Sequence, residues 1–333
     1  MFKKIQPTDL NVGDLVLVFK NWFHTPYITN FKKVKSNKDI KDLAAYENLY
    51  VISSNKNSRL TKKNVKLLKL IFAEIVSSGL INEASVVSHV NAIVSQVIAG
   101  NFCHKTCADL IRSENELFKR AVKLVCLTAS FCNYLTFTRC KTIEYCNAAF
   151  LIDISMAMQP VLLGSRKLVT QYQRGLIQKH PIESARIASE SSISGSLTIL
   201  IVQHHENFNG TGYPSGLKGR QIKLGARILR VLNTYEALTS GRRYQAKKSP
   251  YEAINDMQNM ALNEVIDPII FKKLCLFLRL FPKGSCVADS NGTLYIVKEM
   301  HVESGNIIAF SKQHQKIDVI QESQIKTLIL QGL

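Results

Sequence analysis

Hydrophobic and polar positions along this chain change period twice. Near the start, "DLVLVF" at 14–19 and "NLYVIS" at 48–53 are short apolar runs, separated by basic polar sequence that includes "NFKKVKSNKD". Runs of this length and composition predict strands. From about residue 61 to 282 the spacing becomes helical, through "VKLLKLIFAEIV", "VVSHVNAIVSQVIAG", "LFKRAVKLVCLTASF" and "IEYCNAAFLIDISMAM". Apolar residues three and four apart predict amphipathic helices, and the Pro and Gly between stretches predict short loops, hence an all-α bundle. After "LRLFPKGS" the pattern turns β again: "SCVADSNGTLYIVKEM" reads as two strands about an Asn-Gly hairpin turn, and "GNIIAFSKQ" as a third. The expected fold is mainly α. A helical domain covers 61–282, a small β-containing domain covers 1–60, and a short C-terminal β extension covers 283–333.

Composition fits a folded protein with a substantial core, since 46% of the 333 residues are hydrophobic and 20% charged. No apolar run has the length of a membrane span: "LTILIV" is short, and "LKLIFAEIVSSGLI" is broken by charged and polar residues. The start, "MFKKIQPTDLNVGD", lacks the apolar core of a secretory signal, so a cytoplasmic location is expected. Cys126, Cys132, Cys140 and Cys146 lie in helix-like apolar sequence and are expected to act as small hydrophobes. "CHKTC" at 103–107 has no second cysteine pair at zinc-site spacing, which leaves it a weak metal motif. The net charge of +18 is spread over a chain rich in Lys and Asn, which argues against a dedicated nucleic-acid surface. Residues 218–248 are denser, with nine Lys or Arg against the single acid Glu236, and suit a compact phosphate-bearing ligand as well as a polymer.

The candidate chemistry centres on "QHHENFNGTGYPSG" at 203–216, where two histidines and an acid precede a loop with three glycines and a proline. Metal-dependent phosphodiester hydrolysis needs His and Asp ligands drawn from several helices, and usually two ions about 3.5–4 Å apart. Asp153 in "FLIDIS", His180 in "QKHPIE" and the pair His204–His205 fall on different predicted helices or helix ends, so a bundle can converge them. Taken singly, each is more often a capped or solvated residue than a ligand.

The stretch "HHENFNGTGYPSGLKGRQIKLGARILRVLNTYEALTSGRRY" closely resembles the signature segment of the HD-GYP family, and the likeness extends over about residues 110–282. The resemblance implies an HD-type helical bundle and the metal-dependent hydrolysis of cyclic di-GMP that characterises the family. Both β regions look like the small domain that often precedes such bundles and the extension that often follows. Asp153, His180, His204 and His205 match the ligands of one of the family's metal positions, implying one transition metal ion per chain (Fe, Mn or Zn). Gly210, Gly212, Tyr213 and Pro214 keep the ligand-loop signature, and Arg242 matches an arginine that the family uses on the ligand.

The departures are as specific. Where the family reads His-Asp-Ile-Gly-Lys, this chain has Ile152, Asp153, Ile154, Ser155 and Met156, without the metal-binding histidine and the phosphate-side lysine. Asn233 stands at the place of a metal-binding aspartate, and Gln245 at the place of a basic residue. Upstream, neither Glu114 with Phe118 nor Asn115 with Lys119 repeats the Glu and His of three-metal members. A neighbouring ion would rest on Asp153 and water, so no residue is assigned a catalytic role. The leading expectation is a degenerate HD-GYP protein that binds cyclic di-GMP or a related cyclic dinucleotide, a protein partner, or both, with little or no hydrolysis. An active metal-dependent phosphodiesterase and a non-catalytic interaction scaffold are the alternatives.

Overall fold

The computed structural model describes residues 2–5, 15–18, 31–33, 49–52, 57–98, 116–158, 171–241, 246–301 and 305–329. The first four segments are the strands β1 (Phe2–Ile5), β2 (Leu15–Val18), β3 (Phe31–Lys33) and β4 (Leu49–Ile52), antiparallel in the order β1-β4-β2-β3. The runs "DLVLVF" and "NLYVIS" supply β2 and β4, which pair from Leu15 opposite Ile52 to Val18 opposite Leu49.

Helices then dominate: α1 (Asn57–Ser78), α2 (Glu83–Ile98), α3 (Glu116–Tyr134), α4 (Arg139–Leu151) and the single turn α5 (Ile154–Ala157). They continue as α6 (Gln171–Glu190), α7 (Gly195–Gln203), α8 (Leu224–Ser240), α9 (Pro250–Leu262) and α10 (Pro268–Leu278). Their boundaries follow from local chemistry. Ser249 and Glu252 form a reciprocal capping box with Pro250 in the first turn of α9. Asp267 caps α10 by accepting from the backbone N–H groups of Ile269 and Ile270, and also takes Arg227 Nη1 at 2.7 Å. That second contact ties the cap to α8.

The core runs through the bundle. Phe72 of α1 meets Phe118 of α3 and Phe150 of α4 edge to face, at centroid distances of 5.5 and 6.0 Å. Such aromatic pairs add to the burial of their large apolar area. Cys126, Cys132 and Cys146 are buried in this core, but Cys140 is exposed. It sits in the first turn of α4, where residues 138–141 are all exposed, so it does not behave as the small hydrophobe its context suggests.

The C-terminal sheet contains β5 (Cys286–Asp289), β6 (Leu294–His301), β7 (Asn306–Ser311), β8 (Lys316–Gln321) and β9 (Ile325–Ile329), antiparallel in the order β8-β7-β6-β5-β9. The β5–β6 hairpin turns at Asn291-Gly292, with Gly292 at φ 80° and Asp289 Oδ1 accepting from the Asn291 and Thr293 backbones. Among the described residues, no helix is long and apolar enough to cross a membrane.

Candidate metal centre and ligand loop

Asp153 lies in the turn between α4 and α5, and two serines hold that turn against α6. Ser155 Oγ reaches the His180 carbonyl at 3.0 Å and Ser184 Oγ at 2.9 Å, while the Ser155 N–H donates to Ser184 Oγ at 3.2 Å. All three contacts are buried, where a hydrogen bond is costly to leave unmade.

The orientation of His180 follows from its neighbour. Pro181 lies inside α6 and has no N–H to give to the carbonyl four residues back, that of Ile177. His180 Nδ1 takes that vacancy at 2.5 Å. His204, the C-terminal cap of α7, does the same with an unpaired end-of-helix carbonyl: Nδ1 lies 2.6 Å from the oxygen of Ile201. A carbonyl only accepts, so both Nδ1 atoms carry protons, and in its neutral form each ring turns an Nε2 lone pair inward.

Those lone pairs converge. His180 Nε2 is 3.2 Å from His204 Nε2 and 3.2 Å from Asp153 Oδ1, and His204 Nε2 is 3.7 Å from the same oxygen. Burial pushes the His204 imidazole down from its ordinary pKa. Burial, and then the neighbouring imidazoles, push His205 well below its own. For Asp153 burial acts upward and is the largest single influence, but the Arg120 guanidinium together with the contacts from His180 and His204 outweighs it and holds the carboxyl well below the usual carboxylate range. With His205 included, one candidate ligand atom from each of the four residues lies within 4.8 Å of the others. With both rings neutral these atoms are facing acceptors, and a cation placed among them resolves their repulsion. The tautomers, the carboxylate and the spacing therefore fit a divalent transition metal.

The loop begins one residue later. The ring of His205 stacks on Tyr213 at 4.8 Å and 14°, and the Tyr213 N–H donates to the His205 carbonyl at 3.2 Å. Glu206 is buried and closes the loop with its carboxylate, Oε1 accepting from Ser215 N at 2.7 Å and Oε2 from Leu217 N at 3.0 Å. Gly212 is required by close approach: a Cβ there would lie 2.1 Å from the Asn207 nitrogen and 2.6 Å from Glu206 Cα. Gly210 is required by its φ of 88°, in the left-handed region. Tyr213–Pro214 is a cis peptide. Arg230 of α8 lies beside this wall, with Nε and Nη2 on Asn207 Oδ1 and Nη1 on Thr234 Oγ1, all neutral oxygens. Burial lowers its pKa from the ordinary guanidinium value.

On the other side of Asp153, Arg120 Nη2 lies 3.1 Å from Oδ2. Ile152 and Asn233 line a cavity with Arg120 and Asp153, and Met156 packs on the core. Phe118 is buried in that core, and Lys119 pairs with Glu116. The structure thus brings Asp153, His180, His204, His205 and Tyr213 together. Arg242, Gln245, Glu114, Asn115 and the 103–107 cysteine motif lie outside the described residues. Arg120, Ser184, Glu206 and Arg230 carry no assigned role in the sequence, and Ser155 stands out there only at the place of the family's glycine. Of the other four, only Glu206 carried a local signal, as the acid directly after the histidine pair.

A helical bundle that gathers one aspartate and three histidines at a single point defines a class. Residues 105–270 match the HD domain family, a span that contains all four of these residues. A cyclic di-GMP phosphodiesterase of Pseudomonas aeruginosa is 29% identical over 253 residues, covering 74% of this chain and 58% of its own length. Another, from Borreliella burgdorferi, is 31% identical over 134 residues, 40% of this chain and 35% of that protein. A 3'3'-cGAMP-specific phosphodiesterase of Vibrio cholerae is 30% identical over 136 residues, covering 40% of this chain and 29% of its own. The chain therefore spans less than two thirds of the length of each of these relatives. In fold it is similar to an HDG"Y"P protein from Bdellovibrio bacteriovorus, with a TM-score of 0.52 at 16% identity, over 81% of this chain and 97% of that one. Residues 105–270 are an HD domain, and where the HD-GYP proteins it resembles carry their eponymous dipeptide this chain reads Ile152-Asp153.

Proposed function

We propose that this protein holds one transition metal ion at Asp153, His180, His204 and His205 and uses the site to bind a cyclic dinucleotide, with little or no hydrolysis. The observation that carries the reading is the inward convergence of two tautomer-fixed imidazoles on one carboxylate oxygen, beside a cavity wall where Ile152 and Asn233 replace the family's ligands for a neighbouring ion. An ion there would supply Lewis-acid attraction for a phosphate oxygen. The chain's own groups do the rest. Tyr213, stacked on His205, offers a ring face; Arg230 offers a desolvated positive charge; Gly210 and Gly212 let the backbone come close. Arg242 adds a guanidinium fork, suited to phosphate oxygens or a guanine edge.

Cyclic di-GMP is the first ligand to test, because the P. aeruginosa and B. burgdorferi relatives are cyclic di-GMP phosphodiesterases. 3'3'-cGAMP is the second. The same reading takes 1–60 as an N-terminal domain, 61–282 as the ligand-binding bundle and 283–333 as an appended sheet.

Elemental analysis should return about one metal ion per chain. Calorimetry on manganese-loaded protein should show binding of cyclic di-GMP, and chromatography of the same mixture should show the nucleotide uncut. Arg242→Ala should weaken binding roughly ten- to a hundredfold, the loss of one charge-assisted contact, without changing metal content. Rapid turnover would return the protein to the active phosphodiesterases. Absence of heat at high micromolar nucleotide, with metal supplied, would favour an interaction scaffold.

A further inference from the structure

The carboxylate of Asp153 is engaged on both sides. Oδ1 faces the two histidine Nε2 atoms, and Oδ2 faces Arg120 Nη2 at 3.1 Å. The same guanidinium reaches Glu236 Oε2 through Nε at 3.4 Å. Glu236 is itself held: its Oε1 accepts from Ser240 Oγ at 2.7 Å, and that hydroxyl accepts from Lys123 Nζ at 2.8 Å. Arg120 and Asp153 are only 19% and 18% exposed, and Glu236 only 3%, so solvent screens these charges weakly. Beside them lies a cavity whose other walls include Phe72, Phe150, Ile152 and the neutral amide of Asn233.

In the common two-oxygen mode, a carboxylate bridges two metal ions by giving each ion one of its oxygens. We propose that Arg120 is a built-in second cation of this centre: a fixed positive charge that claims Asp153 Oδ2 and confines the site to a single metal ion. The inference rests on the reading of Asp153 and the three histidines as ligands of that ion. A guanidinium does not deprotonate in proteins, so its hold on Oδ2 does not relax with pH. It also lacks the coordinated water that a metal ion would activate as a nucleophile. Arg120 thus keeps the charge balance of a two-cation site while withholding a source of hydroxide.

The test is a manganese titration of the full chain, read by elemental analysis and calorimetry. Ile152→His with Asn233→Asp, at the cavity wall, is compared with and without Arg120→Ala. One ion is expected in the wild type and in the double variant that keeps Arg120, and two in the triple variant. Two ions with Arg120 in place would overturn the proposal, as would a folded triple variant holding one. If circular dichroism shows that the cavity variants do not fold, Arg120→Gln alone decides. It should take up a second manganese ion at millimolar concentrations where the wild type saturates at one, and coinciding isotherms would overturn the idea. A wild type that binds no manganese at all would instead strike at the first ion, and so at the proposed function itself.

Discussion

His180 shows how a single missing proton donor sets the chemistry of a site. Pro181 frees the Ile177 carbonyl, His180 Nδ1 occupies it, and the other ring nitrogen is thereby turned toward Asp153. Pro181→Ala should return a backbone N–H that competes for that carbonyl. Metal affinity is then expected to fall about tenfold, as when an outer partner of a ligand is lost, while the melting temperature of metal-free protein stays level or rises. Unchanged affinity in a manganese titration would show that the proline does not orient the ring. At this scale the sequence was partly legible. The four candidate ligands stood out because two histidines precede a glycine loop and the other two lie on separate helices. Arg120 did not, because its partners Asp153 and Glu236 lie 33 and 116 positions away, and among 43 Lys and Arg residues one more cation carries no mark.

At the level of elements, periodicity predicted the bundle well because amphipathic helices repeat their pattern over many turns. Strands β1 and β3, "FKKI" and "FKK", escaped notice since three or four residues with adjacent lysines give no alternation to read. Strands β8 and β9 were missed for a related reason: each leaves most of its side chains exposed, so the core imposes little hydrophobic pattern on it. The ligand loop is the element most tightly specified by its sequence. Its ends are gathered by Glu206, and Gly212 presses against the Asn207 and Glu206 backbone. Gly212→Ala would push a methyl group into main chain, which cannot rotate away as a side chain can. Unfolding free energy should drop by about 1–3 kcal/mol, the usual cost of overpacking. Denaturant curves that superimpose on the wild type would contradict the contact.

For the whole molecule, the junction between bundle and C-terminal sheet couples to pH. Arg279, at the end of α10, donates through Nη1 to the carbonyl of Ile325, the first residue of β9, at 2.9 Å. Nearby, Glu322 is buried, and that burial pushes its carboxyl up to about 8 against an ordinary value of 4.5, Arg279 opposing only in part. Between those two values the folded chain keeps a proton that the unfolded chain has released. Stability from this group is therefore fully present below 4.5 and declines as pH rises toward 8, by up to about 1.4 kcal/mol per unit. Glu322→Gln should flatten that decline in denaturation series between pH 5 and 9, and parallel curves would refute it. The gathering of Asp153, His180, His204 and His205 from three separate stretches of the chain has its own large-scale consequence. An ion bound there is a cross-link, closing chain loops that would otherwise be joined only by packing. Its occupancy is then a contribution to folding, worth about 4 kcal/mol when the free ion stands at a thousand times its dissociation constant. Stripping it with a chelator should lower the melting temperature of the bundle, and the wild type should lose more than His205→Ala. Metal supply would thus set how much folded protein a cell can keep.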